Sequence, residues 1–216
     1  MKVLEVLLPF IFLFVLACGG PSVKNVTRNE QGALFPIAED NNWGFMNKQG
    51  EVVIPLKYQG AVDFSDGRAL VKKDDRWGYI NYWDILVVTP EYIEAHKFSD
   101  GLAHVKVDGA YGYINSVGKM VVEPRFEDAH PFSEGLASVK YNGQWGYINK
   151  EGETITEPQF EKAFSYSDGL ALVLLDGKGG YLKKSGKFFI KPKFEYAEGY
   201  SEGVACVYKD GNYVYI

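Results

Sequence analysis

An all-β fold built from tandem 34-residue units is predicted by three observations. An aromatic-Gly-aromatic marker recurs as Trp43-Gly44-Phe45, Trp77-Gly78-Tyr79, Tyr111-Gly112-Tyr113 and Trp145-Gly146-Tyr147, at a constant step of 34 residues. A second marker keeps that step: Phe64-Ser65-Asp66-Gly67, Phe98-Ser99-Asp100-Gly101, Phe132-Ser133-Glu134-Gly135, Tyr166-Ser167-Asp168-Gly169 and Tyr200-Ser201-Glu202-Gly203. Between the markers the chain alternates apolar and polar residues and carries Asn-Gly or Asp-Gly turns, with no defensible helical period.

Each unit reads as a meander of three antiparallel strands. In the first, Ala137 and Val139 alternate with polar neighbours, and the pair recurs as Ala69/Val71, Ala103/Val105, Ala171/Val173 and Ala205/Val207. Period two places that set on a buried face. The other face, with Lys72, Lys106, Lys140 and His104, is expected to meet solvent. Asn142-Gly143 and its counterparts Asp108-Gly109, Asp176-Gly177 and Asp210-Gly211 favour positive φ at both centres of a two-residue hairpin.

The returning strand is Trp145-Gly146-Tyr147-Ile148-Asn149, where Gly146 leaves room for a neighbouring backbone or side chain. Gly50, Gly118, Gly152 and Gly186 suit the left-handed residue of a second turn. A third strand such as Met120-Val121-Val122 is expected to end at Pro124, which has no N–H for a ladder. Pro90, Pro124, Pro158 and Pro192 keep the 34-residue step, whereas Pro55 comes one residue early and implies a compensated slip. The connection that follows contains Phe126, Ala129 and Phe132.

One such unit cannot bury both its aromatic and its Ala/Val faces, so units must stack. An open curved array is the expected arrangement, with a closed β-propeller-like ring as the alternative. Gly179 in place of the Trp and Val214 in place of the Gly mark the fifth and sixth units as departures and suggest an edge cap.

These markers resemble the WG repeat family of bacterial proteins. The likeness runs over 34–216 as five repeats and a partial sixth, with Trp43, Gly44, Trp77, Gly78, Tyr111, Gly112, Trp145 and Gly146 as structural motif residues. It implies the architecture and says little of biochemical role.

The N-terminal segment is of another kind. Lys2 precedes an apolar run from Val6 to Leu16, about half of what a roughly 30 Å hydrocarbon core requires. It reads as a secretion signal. Val15-Leu16-Ala17-Cys18 resembles the lipobox of bacterial lipoproteins, which implies cleavage after residue 17 and a lipid on Cys18. Cys206 then lacks an intramolecular thiol partner. The expected organisation is a signal peptide over 1–17, a lipidated flexible tether over 18–33 and a β domain over 34–216, held at a bacterial cell envelope and facing the periplasm or exterior.

A net charge of -5 with scattered Lys and Arg offers no stripe for phosphates, so nucleic acid is not an expected partner. His96 and His130 occupy one place in successive units, and no further ligand recurs beside them. A polar surface position is expected there, with no metal and no cofactor. Serines 65, 99, 133, 167 and 201 recur without a repeated base and read as local turn formers, and the acids after them as turn acceptors or Lys partners. No phosphate loop, dinucleotide fingerprint or nucleophile elbow occurs, and no catalytic residue is expected.

Most aromatics are expected in the core. The exception is Tyr82-Trp83-Asp84, which stands where sister units carry Lys48-Gln49-Gly50 or Lys150-Glu151-Gly152. Tyr82 and Trp83 are therefore the candidate contact residues. The expectation is a non-catalytic binding or scaffold module with a membrane contact through its lipid and a protein partner, or, alternatively, a glycan or peptidoglycan partner held by aromatics.

Overall fold

The computed structural model describes residues 32–216. The signal peptide, Cys18 and the tether up to residue 31 lie outside the described residues. Among the described residues no helix is long and apolar enough to cross a membrane.

Among the described residues all regular structure is antiparallel sheet in six separate units, none closed into a barrel. Unit one comprises Phe35–Glu39, Asn42–Met46 and Val52–Tyr58. Unit two comprises Gly60–Ala61, Ala69–Lys73, Arg76–Ile80 and Leu86–Tyr92, and unit three Glu94–Ala95, Leu102–Val107, Ala110–Asn115 and Met120–Phe126. Unit four runs through Asp128–Ala129, Leu136–Tyr141, Gln144–Asn149 and Thr154–Phe160, and unit five through Lys162–Ala163, Leu170–Leu175, Lys178–Lys183 and Phe188–Phe194. Unit six pairs Cys206–Lys209 with Asn212–Tyr215, and an Ala197–Val207 bridge stands where its short strand would be. The expected meander is therefore present, with one addition: in units two to five the connection contributes a two-residue strand that extends the sheet to four.

Local chemistry explains the turns. Asn142 and Gly143 adopt φ of 50° and 78°, as a two-residue hairpin with right-handed strand twist requires. The second turn is organised by an asparagine: Asn149 Oδ1 accepts from the Glu153 N–H at 2.8 Å, and Asn47, Asn81 and Asn115 make the equivalent bond.

The third strand corrects an expectation, because it passes through its proline. Trp145 is opposite Phe160 while Tyr147 is opposite Thr156, so two residues on one strand face four on the other and Pro158 sits in the bulge. A bulge frees proline from its ladder duty. The bulged backbone presses on the Gly of the marker: a Cβ on Gly146 would lie 2.4 Å from the Thr156 carbonyl oxygen. Gly44, Gly78, Gly112 and Gly180 meet the same obstruction. Pro55 causes no slip, since Val52–Tyr58 and Leu86–Tyr92 are already 34 residues apart and Pro55 occupies a neighbouring place in the same bulge.

The core lies between units. Tyr111, Tyr113, Val122 and Phe126 of unit three pack with Ala129, Phe132, Ala137, Val139 and Ile148 of unit four in one buried cluster. The same exchange of an aromatic face for an Ala/Val face joins each successive pair. Within these interfaces Tyr113 meets Phe132 edge to face at 4.8 Å, as Tyr79 meets Phe98 and Tyr147 meets Tyr166.

The face expected to meet solvent is mostly buried. Leu70, His104, Ser138 and Leu172 occupy one repeat position on the aromatic face and are all buried, Leu70 and Leu172 in the clusters shared with the next unit, His104 under His96 and Ser138 beside His130, while Lys72, Lys106 and Lys140 are only half-buried. A stacked unit has two covered faces, which period two in a single strand cannot reveal.

Candidate functional site

The backbone of the recurrent Ser-acid-Gly segment closes its own turn, Ser65 exchanging hydrogen bonds with Arg68 and Ser99 with Leu102, while its side chains bond across units. Ser65, Ser99 and Ser133 donate through Oγ to the carbonyls of Phe98, Phe132 and Tyr166 at 2.6, 2.7 and 2.7 Å. The acid accepts from the next unit's glycine N–H, in the pairs Asp66 with Gly101, Asp100 with Gly135, Glu134 with Gly169 and Asp168 with Gly203. Both side chains thus fasten neighbours, which accounts for their recurrence without chemistry.

The turn holding Tyr82 and Trp83 departs from its sisters in shape and in polarity. Asp84, at φ 60°, replaces the glycine, and its carboxylate receives Lys57 and the Tyr58 hydroxyl from unit one. Tyr82 stacks on Phe64 with ring centroids 4.1 Å apart and planes 8° from parallel, so its ring belongs to the interface between units one and two. Trp83, Ile85 and Leu86 remain exposed at 47%, 57% and 42%. The structure therefore separates the two candidate residues: Tyr82 anchors the turn and Trp83 is presented by it.

A second site was missed by sequence reasoning. All three histidines of the chain, His96, His104 and His130, line one cleft of about 790 Å³, together with Trp77, Glu94, Tyr111 and Asp128. It opens beside the short strands of units three and four, where the connecting segments pass.

His104 is 3% exposed and stacks on His96 at 3.9 Å with planes 11° apart, so it is not a solvent-facing strand residue. Burial, reinforced by the neighbouring His96 and His130, pushes its pKa down to about 3 and holds it neutral. Its Nδ1 is buried without a hydrogen-bond partner. His96 is half-exposed, with Nε2 3.5 Å from the Glu94 carboxylate. His130 is half-buried, bonded through Nδ1 to Ser138 Oγ at 2.8 Å and stacked on Trp145 at 4.5 Å. Neither is a simple surface position.

Glu94 also receives the Tyr111 hydroxyl and faces Lys106 at 3.4 Å. The Tyr111 bond, followed by the Lys106 charge, holds its carboxyl below the ordinary range against the opposing effect of desolvation. Among the described residues no group of three or more His, Cys, Asp or Glu is placed to hold a metal ion.

Comparison of units within the chain carries the signal for this site. The pairs at the two equivalent positions are Val62/Leu70, His96/His104, His130/Ser138, Phe164/Leu172 and Glu198/Cys206, each joined by the same backbone hydrogen bond. Apolar pairs satisfy this position in units two and five, and units three and four replace them with polar ones.

The model of the WG containing repeat matches residues 43–77, 77–109, 111–145, 145–178 and 180–213. The chain belongs to the WG containing repeat family. Trp43, Gly44, Trp77, Gly78, Trp145 and Gly146 are its named pair, Tyr111-Gly112 a variant of it, and the structure assigns the Gly to the bulge contact described above. No curated protein matches the chain. Among solved structures, a eukaryotic initiation factor aligns over 86% of this WG-repeat chain with a TM-score of 0.57 and 11% identity. The chain spans only 59% of that structure, and the likeness is one of fold. Looser alignments are to the computationally designed Ika4 protein (TM-score 0.38, 13% identity, 56% of this chain and 87% of that one) and to a protein of unknown function from Bacteroides caccae (TM-score 0.33, 16% identity, 77% and 78%).

Proposed function

We propose that this WG-repeat chain is a non-catalytic binding scaffold of a bacterial cell envelope, tethered by a lipid on Cys18 and presenting the unit-two turn to a protein partner. The observation that carries the reading is the exposure of Trp83, Ile85 and Leu86 on a turn held rigid by Asp84 and Tyr82. Exposed apolar side chains on an immobilised support bind with little loss of conformational freedom, and large aromatic residues dominate such contacts. A protein is favoured over a glycan at this turn because the Tyr82 ring is already occupied by Phe64, leaving no pair of open aromatic platforms. The lipobox-like Val15-Leu16-Ala17-Cys18 supports the tether and the envelope location.

Two experiments test the proposal. A photo-crosslinking aromatic amino acid at position 83 is expected to give one discrete covalent adduct in intact cells, with none from the same group at position 49 or 151; adducts that do not distinguish these positions would overturn the protein-partner reading. Cys18→Ala is expected to move the protein from the detergent phase to the aqueous phase on detergent partitioning, and unchanged partitioning would remove the tether.

A further inference from the structure

We propose that the cleft running along units two to four is a second binding site, separate from the unit-two turn, and that it takes a neutral saccharide of one or two rings through His96, His104 and His130, with Trp77 and Tyr111 as apolar walls.

The first argument is the cost of the cleft to the fold. Units two and five place Val62 with Leu70 and Phe164 with Leu172 at these positions, so packing alone is satisfied by hydrocarbon. Unit three instead buries an imidazole to 3% exposure and leaves its Nδ1 without a partner. A buried polar atom left unbonded destabilises the fold, and local departures of this kind collect at functional sites. The second argument is convergence: the chain has only three histidines, and they meet at one cleft although they come from two units.

The lining selects the ligand class. Its volume, about 790 Å³, lies within the range of small-molecule sites. Glu94 and Asp128 outnumber Lys97, the lysine of the lining, which disfavours anions, and the Glu94 charge is already met by Lys106 and by the Tyr111 hydroxyl, which disfavours a cation. A neutral ring bearing many hydroxyls suits what remains: aromatic surface for its C–H face, and carboxylate and imidazole groups that exchange hydrogen bonds with hydroxyls. His104, neutral across the physiological range, can accept or donate at Nδ1 according to its tautomer. His96 lies over that ring at the half-exposed rim, so its side chain must turn aside for a hydroxyl to reach Nδ1.

The test uses the full-length protein in detergent, labelled with 15N in its histidine rings, so that three imidazoles report. Cellobiose, maltose and chitobiose are titrated, with inorganic phosphate and choline as charged probes. At least one disaccharide is expected to shift the His96 and His104 ring nitrogens in a saturable manner, and the charged probes are expected to shift neither. His104→Leu copies Leu70 and Leu172, so it is expected to fold with an undiminished melting temperature and to weaken that disaccharide at least tenfold by calorimetric titration. His96→Val, which copies Val62, provides a second folded variant with the same expected loss. The proposal is overturned if no disaccharide moves His104, if phosphate or choline moves it instead, or if a folded His104→Leu protein binds as tightly as the wild type.

Discussion

Gly146→Ala is the most direct test of the bulge that the Trp-Gly marker serves. The added Cβ would stand 2.4 Å from the Thr156 oxygen, 2.9 Å from the Pro158 nitrogen and 3.0 Å from the Glu157 carbonyl carbon, all of them backbone atoms. Restoring an ordinary contact requires a displacement of about 1 Å in the third strand. That strand is not free to move, because the neighbouring Ile155 and Phe160 pack into the cluster shared with unit five. Overpacking of this kind costs about 1–3 kcal/mol, and the immobile surroundings place the variant near the top of that range. For a chain of this length such a loss lowers the melting temperature by about 6–12 °C. Gly143→Ala is the control: its φ is 78° with nothing within 4 Å of the new Cβ, so it carries only the left-handed conformational cost of about 1 kcal/mol. Scanning calorimetry compares the two, and hydrogen exchange localises the damage, which matters because stacked units can unfold piecemeal. A Gly146→Ala protein that melts within about 2 °C of wild type, or no lower than Gly143→Ala, would refute the steric account.

Other outcomes follow from the same structure. His104 has a folded pKa near 3 against about 6.5 when unfolded, so the unfolded chain binds the extra proton as pH falls below 6.5. Stability is therefore full above that pH and declines below it, by about 2 kcal/mol at pH 5, and His104→Leu should flatten this part of a denaturation-against-pH profile; an equally steep profile in the variant would assign the effect elsewhere. Asp100→Ala removes the acceptor for the Gly135 N–H and puts alanine at φ 54°, for an expected loss of about 1–2 kcal/mol in urea titration, while Asp100→Asn retains both properties and should lose less than half as much. Tyr82→Ala should destabilise by about 1–3 kcal/mol through loss of the Phe64 stack, whereas Trp83→Ala should abolish crosslinking at the turn from a probe placed at Ile85 and leave the melting temperature within about 2 °C. Equal thermal effects from the two changes would contradict their assigned roles.

The markers, the hairpins and the stacking of units were legible because each depends on local chemistry repeated in register. Asn142-Gly143 selects its turn through φ alone, and Ala137 with Val139 declares a buried face through period two. Three features were not legible. Pro124 reads as a strand end until the partner strand shows that it occupies a bulge. Ser99 and Asp100 do form their own turn, as their sequence suggests, but that their side chains reach Phe132 and Gly135 in the next unit is not written in it. His104 reads as solvent-facing because alternation marks one face of a strand as buried without reporting what covers the other.

Repetition in the sequence by itself determined the all-β class, the 34-residue unit and the need for neighbours, since spacing and turn preference act along the chain. Only the tertiary structure decided that both faces of a unit are covered, that Tyr82 and Trp83 have different roles, and that three histidines separated by up to 34 residues share one cleft. The physical reason is that burial and hydrogen-bond satisfaction at these positions depend on the adjoining unit, whose placement no single unit's residues encode.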